Sequence, residues 1–139
     1  MRVNPYITFG GQCAEAFHFY AETLGGKIEF MMTHAEMPEG TPMAPGWGDK
    51  VMHAQLRVGE QDLMGSDAPP QMYERPQGFS ISLQISEPAE AERVFAALSA
   101  GGTTRMPIQE TFWARRFGMC TDRFGTPWMI VGPDPNQAS

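Results

Sequence analysis

Two arginines and two aromatic residues form the densest cluster of side chains able to do chemistry. Phe112, Trp113, Arg115 and Arg116 follow one another closely, in a chain of 139 residues with a formal net charge of −6. An arginine can hold a carboxylate or phosphate by a two-pronged hydrogen bond, and a tryptophan can stack on a ring or an acyl chain. The other interpretation is a structural loop whose arginines pair with nearby acids or with a partner subunit.

The three histidines are the next candidates. His53 falls on a predicted strand, where an inward side chain could reach a cavity, and we expect a hydrogen-bonded core residue or a neutral pocket donor rather than a metal ligand. His18 and His34 are predicted to be surface residues. Cys13 and Cys120 lack CxxC spacing and are predicted to be packed thiols in a reducing cytoplasm.

Composition and charge exclude several classes of protein. Apolar residues make up 42% of the chain, and acidic residues outnumber basic ones by 16 to 10. A nucleic-acid binder needs a basic face, so we expect no nucleic-acid partner. The apolar runs are far shorter than the about 18–20 residues of a membrane span. The first residues do not resemble a signal peptide, so a cytoplasmic location is predicted.

The elements that must position these residues occur twice, in the same order. Each copy reads as strand, helix and three strands, offset by about 75 residues, and both helices are followed by paired glycines. The predicted elements of the first copy are strand 6–9, helix 14–24 and strands 27–33, 51–58 and 62–65. Those of the second copy are strand 79–85, helix 89–100 with Ser86 as its N-cap, and strands 103–107, 117–121 and 127–131.

The predicted fold class is α+β, with two tandem βαβββ modules whose curved sheets form a cleft or half-barrel. We expect a single domain over residues 1–139. Its parts are module one at about 1–66, a proline-rich linker at 67–77, module two at about 78–133, and a tail at 134–139.

Several local signatures resemble the glyoxalase/bleomycin-resistance superfamily, also called the vicinal-oxygen-chelate fold, and within it the PhnB-like branch. The matching segments are 4–9 with 16–20 and 25–26, then 53–56 with 62–67, then 112–118 leading into 121–128. Together they cover about residues 2 to 133 and are specific for the branch. The resemblance implies a cavity and, by analogy with many relatives, a homodimer.

The resemblance also implies where a metal would bind. Enzymes of the superfamily usually hold a divalent ion with His, Gln or Glu on the first and fourth strands of the modules. The corresponding positions here fall near Pro5 or Tyr6, near Ser80 or Ser82, and near Met64 and Met129, none of which is His, Glu or Asp. We therefore expect no metal and no cofactor, with a divalent metal disfavoured.

The predicted function is metal-independent binding of a small, partly apolar, anionic molecule in a cavity between the modules. The predicted ligand-binding residues are Tyr6, His53, Phe112, Trp113, Arg115, Arg116 and Met129, and no residue is assigned a catalytic role. Two alternatives stay open: a lyase or isomerase with a non-standard site that uses His53, and a subunit whose role is protein association through the Pro/Gly-rich loop 38–49. That loop could equally be a lid carrying Trp47.

PhnB-like proteins are often labelled by analogy as 3-demethylubiquinone methyltransferases. The glycines here fall in pairs at helix ends, as at Gly25 and Gly26, and not in a Gly-rich loop after a first strand. The sequence therefore predicts no Rossmann-type cofactor pocket.

Overall fold

The computed structural model describes residues 1–134 and divides the chain into two compact units, Met1–Arg75 and a second unit from Pro76 onward. Residues 135–139 of the predicted tail lie outside the described residues. The elements of the first unit are β1 Tyr6–Phe9, α1 Cys13–Leu24, β2 Lys27–Thr33, a short 3-10 turn His34–Glu36, β3 Val51–Val58 and β4 Gln61–Asp67. Those of the second unit are β5 Ile81–Gln84, α2 Pro88–Ser99, β6 Thr103–Gln109, β7 Phe117–Thr121 and β8 Pro127–Val131.

Each unit has a four-stranded mixed sheet with the same topology. The strand orders are β1-β4-β3-β2 and β5-β8-β7-β6. The first strand of each unit pairs parallel with the last, and the other neighbours are antiparallel. The predicted α+β class with two βαβββ modules is confirmed.

In the first unit, α1 covers one face of the sheet. Its apolar stripe buries Ala16, Phe17 and Tyr20, and the ring of Phe17 meets Phe9 of β1 edge-on at 6.0 Å between centroids. The helix has no side-chain cap of its own at Gln12. The buried carboxylate of Asp67 instead accepts hydrogen bonds from the backbone N–H groups of Gly11 and Cys13, at 3.0 and 2.9 Å.

In the second unit, α2 packs on its sheet in the same manner. Val94, Phe95 and Leu98 of the helix are buried, as are Trp128 and Ile130 of β8. Because side chains alternate along a strand, the residues between these buried positions point to the face that the helix does not cover. In both units we call this the helix-free face.

Two predicted boundaries in the second unit are wrong. Glu87, and not Ser86, is the N-cap of α2 and holds an extended backbone with φ −87° and ψ 120°. Pro88 at the first helical position disfavours a helical conformation in the residue before it, so the helix cannot begin earlier. The strand predicted over 79–85 is limited to Ile81–Gln84, because its parallel partner β8 pairs with those four residues only.

Two other strands are longer than predicted. β4 continues to Asp67, since Phe9 of β1 pairs with that residue. β6 continues through Pro107 to Gln109, which pairs with Phe117 across an irregular register. A proline is tolerated there because β6 is the edge strand of its sheet.

Both α-helices have 12 residues, well short of the about 20 that a bilayer-spanning helix needs.

Candidate functional site

A row of register-paired side chains crosses the helix-free face of the first sheet. Tyr6 of β1 pairs with Met64 of β4, Met64 pairs with Gln55 of β3, and Gln55 pairs with Phe30 of β2. Residues directly opposite one another on neighbouring strands share a face, so these four lie side by side. His53 lies two residues before Gln55 in β3 and therefore points to the same face.

Tyr6, His53 and Phe30 form an aromatic cluster on this face. The Tyr6 hydroxyl lies 3.2 Å from His53 Nδ1, and the two rings stack at 5.7 Å between centroids. Phe30 lies on the other side, 5.8 Å from the His53 ring. Tyr6 and Phe30 are 47% and 42% exposed, so the cluster presents ring surface that a ligand can contact.

The Tyr6–His53 hydrogen bond leaves one polar hydrogen directed away from the pair in either histidine tautomer. If the tyrosine hydroxyl donates to Nδ1, the imidazole carries its proton on Nε2. If Nδ1–H donates to the tyrosine oxygen, the hydroxyl hydrogen is available instead. The pair therefore combines two aromatic surfaces with one hydrogen-bond donor.

A charged group lies along the same face. Asp62 of β4 is buried and accepts from Arg57 Nε at 2.5 Å and from Arg2 Nη2 at 3.0 Å. The hydrogen bond from Arg57 lowers the pKa of Asp62, and the same bond raises the pKa of Arg57. The charge of Arg57 is therefore compensated within the protein.

The predicted aromatic cluster of the second unit is exposed. Phe112 is 86% exposed and Trp113 is 40% exposed. The indole of Trp113 packs against the ring of Phe117 at 4.7 Å between centroids. The turn that carries them is held by Thr111, whose hydroxyl accepts from the Ala114 N–H at 3.0 Å.

The two arginines of this segment differ in their surroundings. Arg116 Nε donates to Glu92 Oε1 of α2 at 3.0 Å, and Nη1 donates to the backbone oxygen of Arg115 at 2.7 Å. The Arg115 side chain is exposed and forms no ion pair with any of residues 1–134. Arg115 is thus the stronger candidate to hold an anion, and Arg116 has a structural partner that the sequence did not indicate.

Met129 lies on β8 on the helix-free face of the second sheet. It pairs with Ser82 of β5 on one side and with Met119 of β7 on the other. Among the positions near which the resemblance places a divalent ion, Tyr6 pairs with Met64 in one unit and Ser82 pairs with Met129 in the other. Within residues 1–134, no three His, Cys, Asp or Glu side chains come together as a metal site. This donor set does not fit a hard divalent ion.

Both cysteines are buried, as predicted. Burial, with a smaller contribution from Asp122, raises the pKa of Cys120 to about 11. Burial also raises the pKa of Cys13, with a smaller contribution from Asp67. Protonated thiols are poor nucleophiles, so neither cysteine has the properties of a catalytic residue.

His34, which the sequence predicts to be a surface residue, is half-buried. Its backbone N–H donates to the Lys50 carbonyl at 2.9 Å, which closes the loop 38–49 against the 3-10 turn. The His34 Nε2 atom is buried, and so is the indole nitrogen of Trp47. Neither atom has a hydrogen-bond partner among the described residues.

Comparisons with known proteins agree with the observed fold and with the PhnB-like branch that the sequence resembles. A family model described as 3-demethylubiquinone-9 3-methyltransferase matches residues 1–131. Protein YjdN of Escherichia coli K12 is 38% identical over 147 aligned residues, which cover 99% of this chain and all of YjdN.

Two solved structures show the same fold. The protein PA1353 from Pseudomonas aeruginosa is 46% identical, with a TM-score of 0.86 over 96% of this chain and 98% of that one. The PhnB protein from Bacillus cereus is 22% identical, with a TM-score of 0.80 over 95% of this chain and 99% of that one.

Proposed function

Because the chain belongs to the PhnB-like family of the vicinal-oxygen-chelate superfamily, whose model is described as 3-demethylubiquinone-9 3-methyltransferase, we propose that it binds a small, partly apolar, anionic molecule without a metal. The Tyr6–His53–Phe30 cluster carries the proposal. It offers two exposed rings and one directed hydrogen-bond donor on the helix-free face of the first sheet.

The chemistry of the cluster selects the ligand class. Exposed aromatic rings favour an apolar ring or chain, and a lone donor on an aromatic surface favours one oxygen acceptor. A hydrogen bond to a charged group contributes about 1.5–3 kcal/mol, more than one to a neutral group. A carboxylate attached to a ring is therefore the simplest ligand that would use both features.

The second unit offers the complementary charge. Arg115 has no ion-pair partner within residues 1–134, and the exposed faces of Phe112 and Trp113 lie close to it in sequence. Arg116 donates to Glu92 and is less available, and Met129 would supply an apolar, adaptable contact. That one ligand contacts both units in a shared cavity stays a prediction.

Methyl transfer is not part of this proposal. Each sheet of the described residues is mixed, with one parallel pair, and is not doubly wound. Gly25 has a left-handed backbone with φ 68° because it ends α1, so the paired glycines terminate a helix instead of forming a phosphate-binding loop.

The Tyr6–His53 pair also favours a second candidate function, a lyase or isomerase. A tyrosine hydroxyl hydrogen-bonded to an imidazole can accept and return a proton at a bound substrate. Turnover of a bound ligand, lost in both Tyr6→Phe and His53→Phe, would establish this activity in place of simple binding.

The test is calorimetric titration of the protein with 2-naphthoate and with 2-naphthamide, which is the matched neutral probe. Both titrations are carried out in buffer that contains EDTA. We expect the wild-type protein to bind the carboxylate about tenfold more tightly than the amide, about 1.4 kcal/mol. The double variant Tyr6→Phe with His53→Phe keeps all three rings of the cluster but removes both groups that can donate, and should abolish this preference. Tyr73→Phe is the control, because it removes a hydroxyl from the same unit outside the cluster.

Three results would contradict the proposal. They are equal affinity of the wild-type protein for the two probes, a carboxylate preference that survives in the double variant Tyr6→Phe with His53→Phe, and binding that disappears in EDTA. For the second unit, Arg115→Gln should weaken naphthoate binding more than Arg116→Gln does, because Arg116 is already paired with Glu92.

A further inference from the structure

Three methionines lie in one row across the second sheet. Met129 of β8 pairs with Met119 of β7, and Met119 pairs with Met106 of β6 at a point where the β6–β7 register shifts on both sides of Met106. Directly opposed residues on neighbouring strands share a face and have Cβ atoms about 4.5–5.5 Å apart. The three thioethers therefore begin from adjacent positions on three consecutive strands.

The row lies on the helix-free face. A Cβ on Gly118, the residue before Met119, would come within 2.9 Å of the Phe95 ring of α2, so Gly118 faces the helix and Met119 faces away from it. Met106 is 41% exposed, and Met119 and Met129 are partly exposed. A ligand can therefore reach the row.

Thioether sulfur is a soft, uncharged ligand, and among metal ions it selects Cu(I) over the hard ions that prefer oxygen. The Cβ atom of Met119 lies about 5 Å from those of its two neighbours, and a methionine side chain has three rotatable bonds, so the outer sulfur atoms can bend toward an ion held over Met119. We propose that Met106, Met119 and Met129 form a binding site for Cu(I). This inference goes beyond the proposed function and does not depend on it.

The first unit provides an internal comparison. The corresponding row there is Tyr6, Met64, Gln55 and Phe30, so Met64 stands alone where the second unit has three methionines. A single thioether binds an ion weakly. Met64 should therefore be unaffected under conditions that fill the row in the second unit.

Cysteine sulfur is also a soft ligand, so binding of the ion by the cysteines must be distinguished from binding by the three methionines. Cys120 follows Met119 in β7 but is fully buried on the side of α2. Its thiol stays protonated near neutral pH, whereas the metal ligand is the thiolate. We therefore expect Cys120→Ala to leave the binding of the ion unchanged.

The first experiment is NMR of the protein labelled with 13C at the methionine methyl groups, titrated with silver nitrate in chloride-free buffer as a redox-stable probe for Cu(I). The methyl signals of Met106, Met119 and Met129 should shift together and saturate at one equivalent, while that of Met64 stays in place. Uniform shifts of all methionines, or no shifts at one equivalent, would overturn the proposal.

The second experiment measures Cu(I) affinity anaerobically, by competition with a chromogenic chelator. Met119→Leu conserves volume and removes the central sulfur, and should weaken binding at least tenfold. Met64→Leu and Cys120→Ala should match the wild-type protein. Unchanged affinity in Met119→Leu, or loss of binding in Cys120→Ala, would refute the site. The Met64 methyl signal reports that the fold is retained in Met119→Leu and Cys120→Ala, and the Met119 methyl signal reports it in Met64→Leu.

Discussion

Asp122 shows how one buried side chain can organise a turn and a core residue together. Its carboxylate accepts from the backbone N–H groups of Phe124 and Thr126, at 2.9 and 3.0 Å, and from the indole N–H of Trp128 at 2.8 Å. An aspartate shortly before a glycine, as in Asp122-Arg123-Phe124-Gly125, is typical of a turn. The contact with Trp128 was not predicted, because a turn motif does not indicate which core side chain lies above it.

We predict that Asp122→Ala lowers the free energy of unfolding by about 2–4 kcal/mol, because it leaves three buried donors without their acceptor. Urea unfolding followed by tryptophan fluorescence measures the change. Glu39→Gln, at an exposed position, is the control and should have little effect. A loss in Asp122→Ala no larger than in the control would show that the carboxylate does not hold the turn.

The Asp62–Arg57 pair makes stability depend on pH. Because the pKa of Asp62 is lowered in the folded protein, its contribution is present above the ordinary pKa of 3.8 and is lost as pH falls below it. Arg57→Gln should therefore be less stable than the wild-type protein at pH 7, and the difference should shrink below about pH 4.

Urea unfolding midpoints measured between pH 2 and pH 7 test this prediction. Arg93→Gln is the matched control, since it breaks an ion pair with Glu90 in which both side chains are about half exposed. A difference between Arg57→Gln and the wild-type protein that is independent of pH would show that Asp62 is not the responsible group.

At the scale of elements, each helix packs closely on its sheet because a glycine lies beneath a phenylalanine ring. A Cβ on Gly65 would lie 3.0 Å from the Phe17 ring and 2.9 Å from the Ile7 carbonyl oxygen. In the second unit, a Cβ on Gly118 would lie 2.9 Å from the Phe95 ring. Both glycines are thus required by packing.

We predict that Gly118→Ala destabilises the protein by about 1–3 kcal/mol through overpacking against Phe95. Gly10→Ala is the matched control, because its new Cβ would meet the Tyr73 ring at an ordinary 3.5 Å. Thermal unfolding of both variants measures the effect. Equal melting temperatures for the two variants would show that the helix can move aside at no cost.

The sequence predicts the type and order of the elements well and their ends less well. Strand 117–121 and strand 127–131 were predicted as the structure has them, because period-2 patterns bounded by turn residues are local signals. The end of β4 at Asp67 depends on Phe9, which is remote in sequence and extends the pairing. Local patterns do not contain that information.

The candidate site was predicted in part. Tyr6 and His53 were each identified, but their hydrogen bond joins residues 47 positions apart, and only the strand order brings them together. Phe30 was not identified from the sequence. It lies on β2, an edge strand of the first sheet, and an aromatic residue on an edge strand is a usable signal of a candidate site residue. The partner of Arg116 was also missed, because Glu92 lies on a helix 24 residues earlier.

At the scale of the whole molecule, the duplicated βαβββ unit is the one expected from the family to which the chain belongs. The oligomeric state is a proposal. We propose a homodimer, by analogy with relatives of the same superfamily. Light scattering coupled to size-exclusion chromatography should then give a mass of about twice the 15.4 kDa of the chain. A mass equal to that of one chain across the concentrations tested would contradict this proposal.

The most direct test of the central claim is 15N NMR of the His53 side-chain nitrogens, recorded with and without 2-naphthoate in EDTA and compared with 2-naphthamide. If a metal-free site recognises an anion through the Tyr6–His53 pair, naphthoate shifts the His53 nitrogen signals to saturation and naphthamide shifts them much less. Unchanged His53 signals at naphthoate concentrations that saturate calorimetric binding would contradict the account.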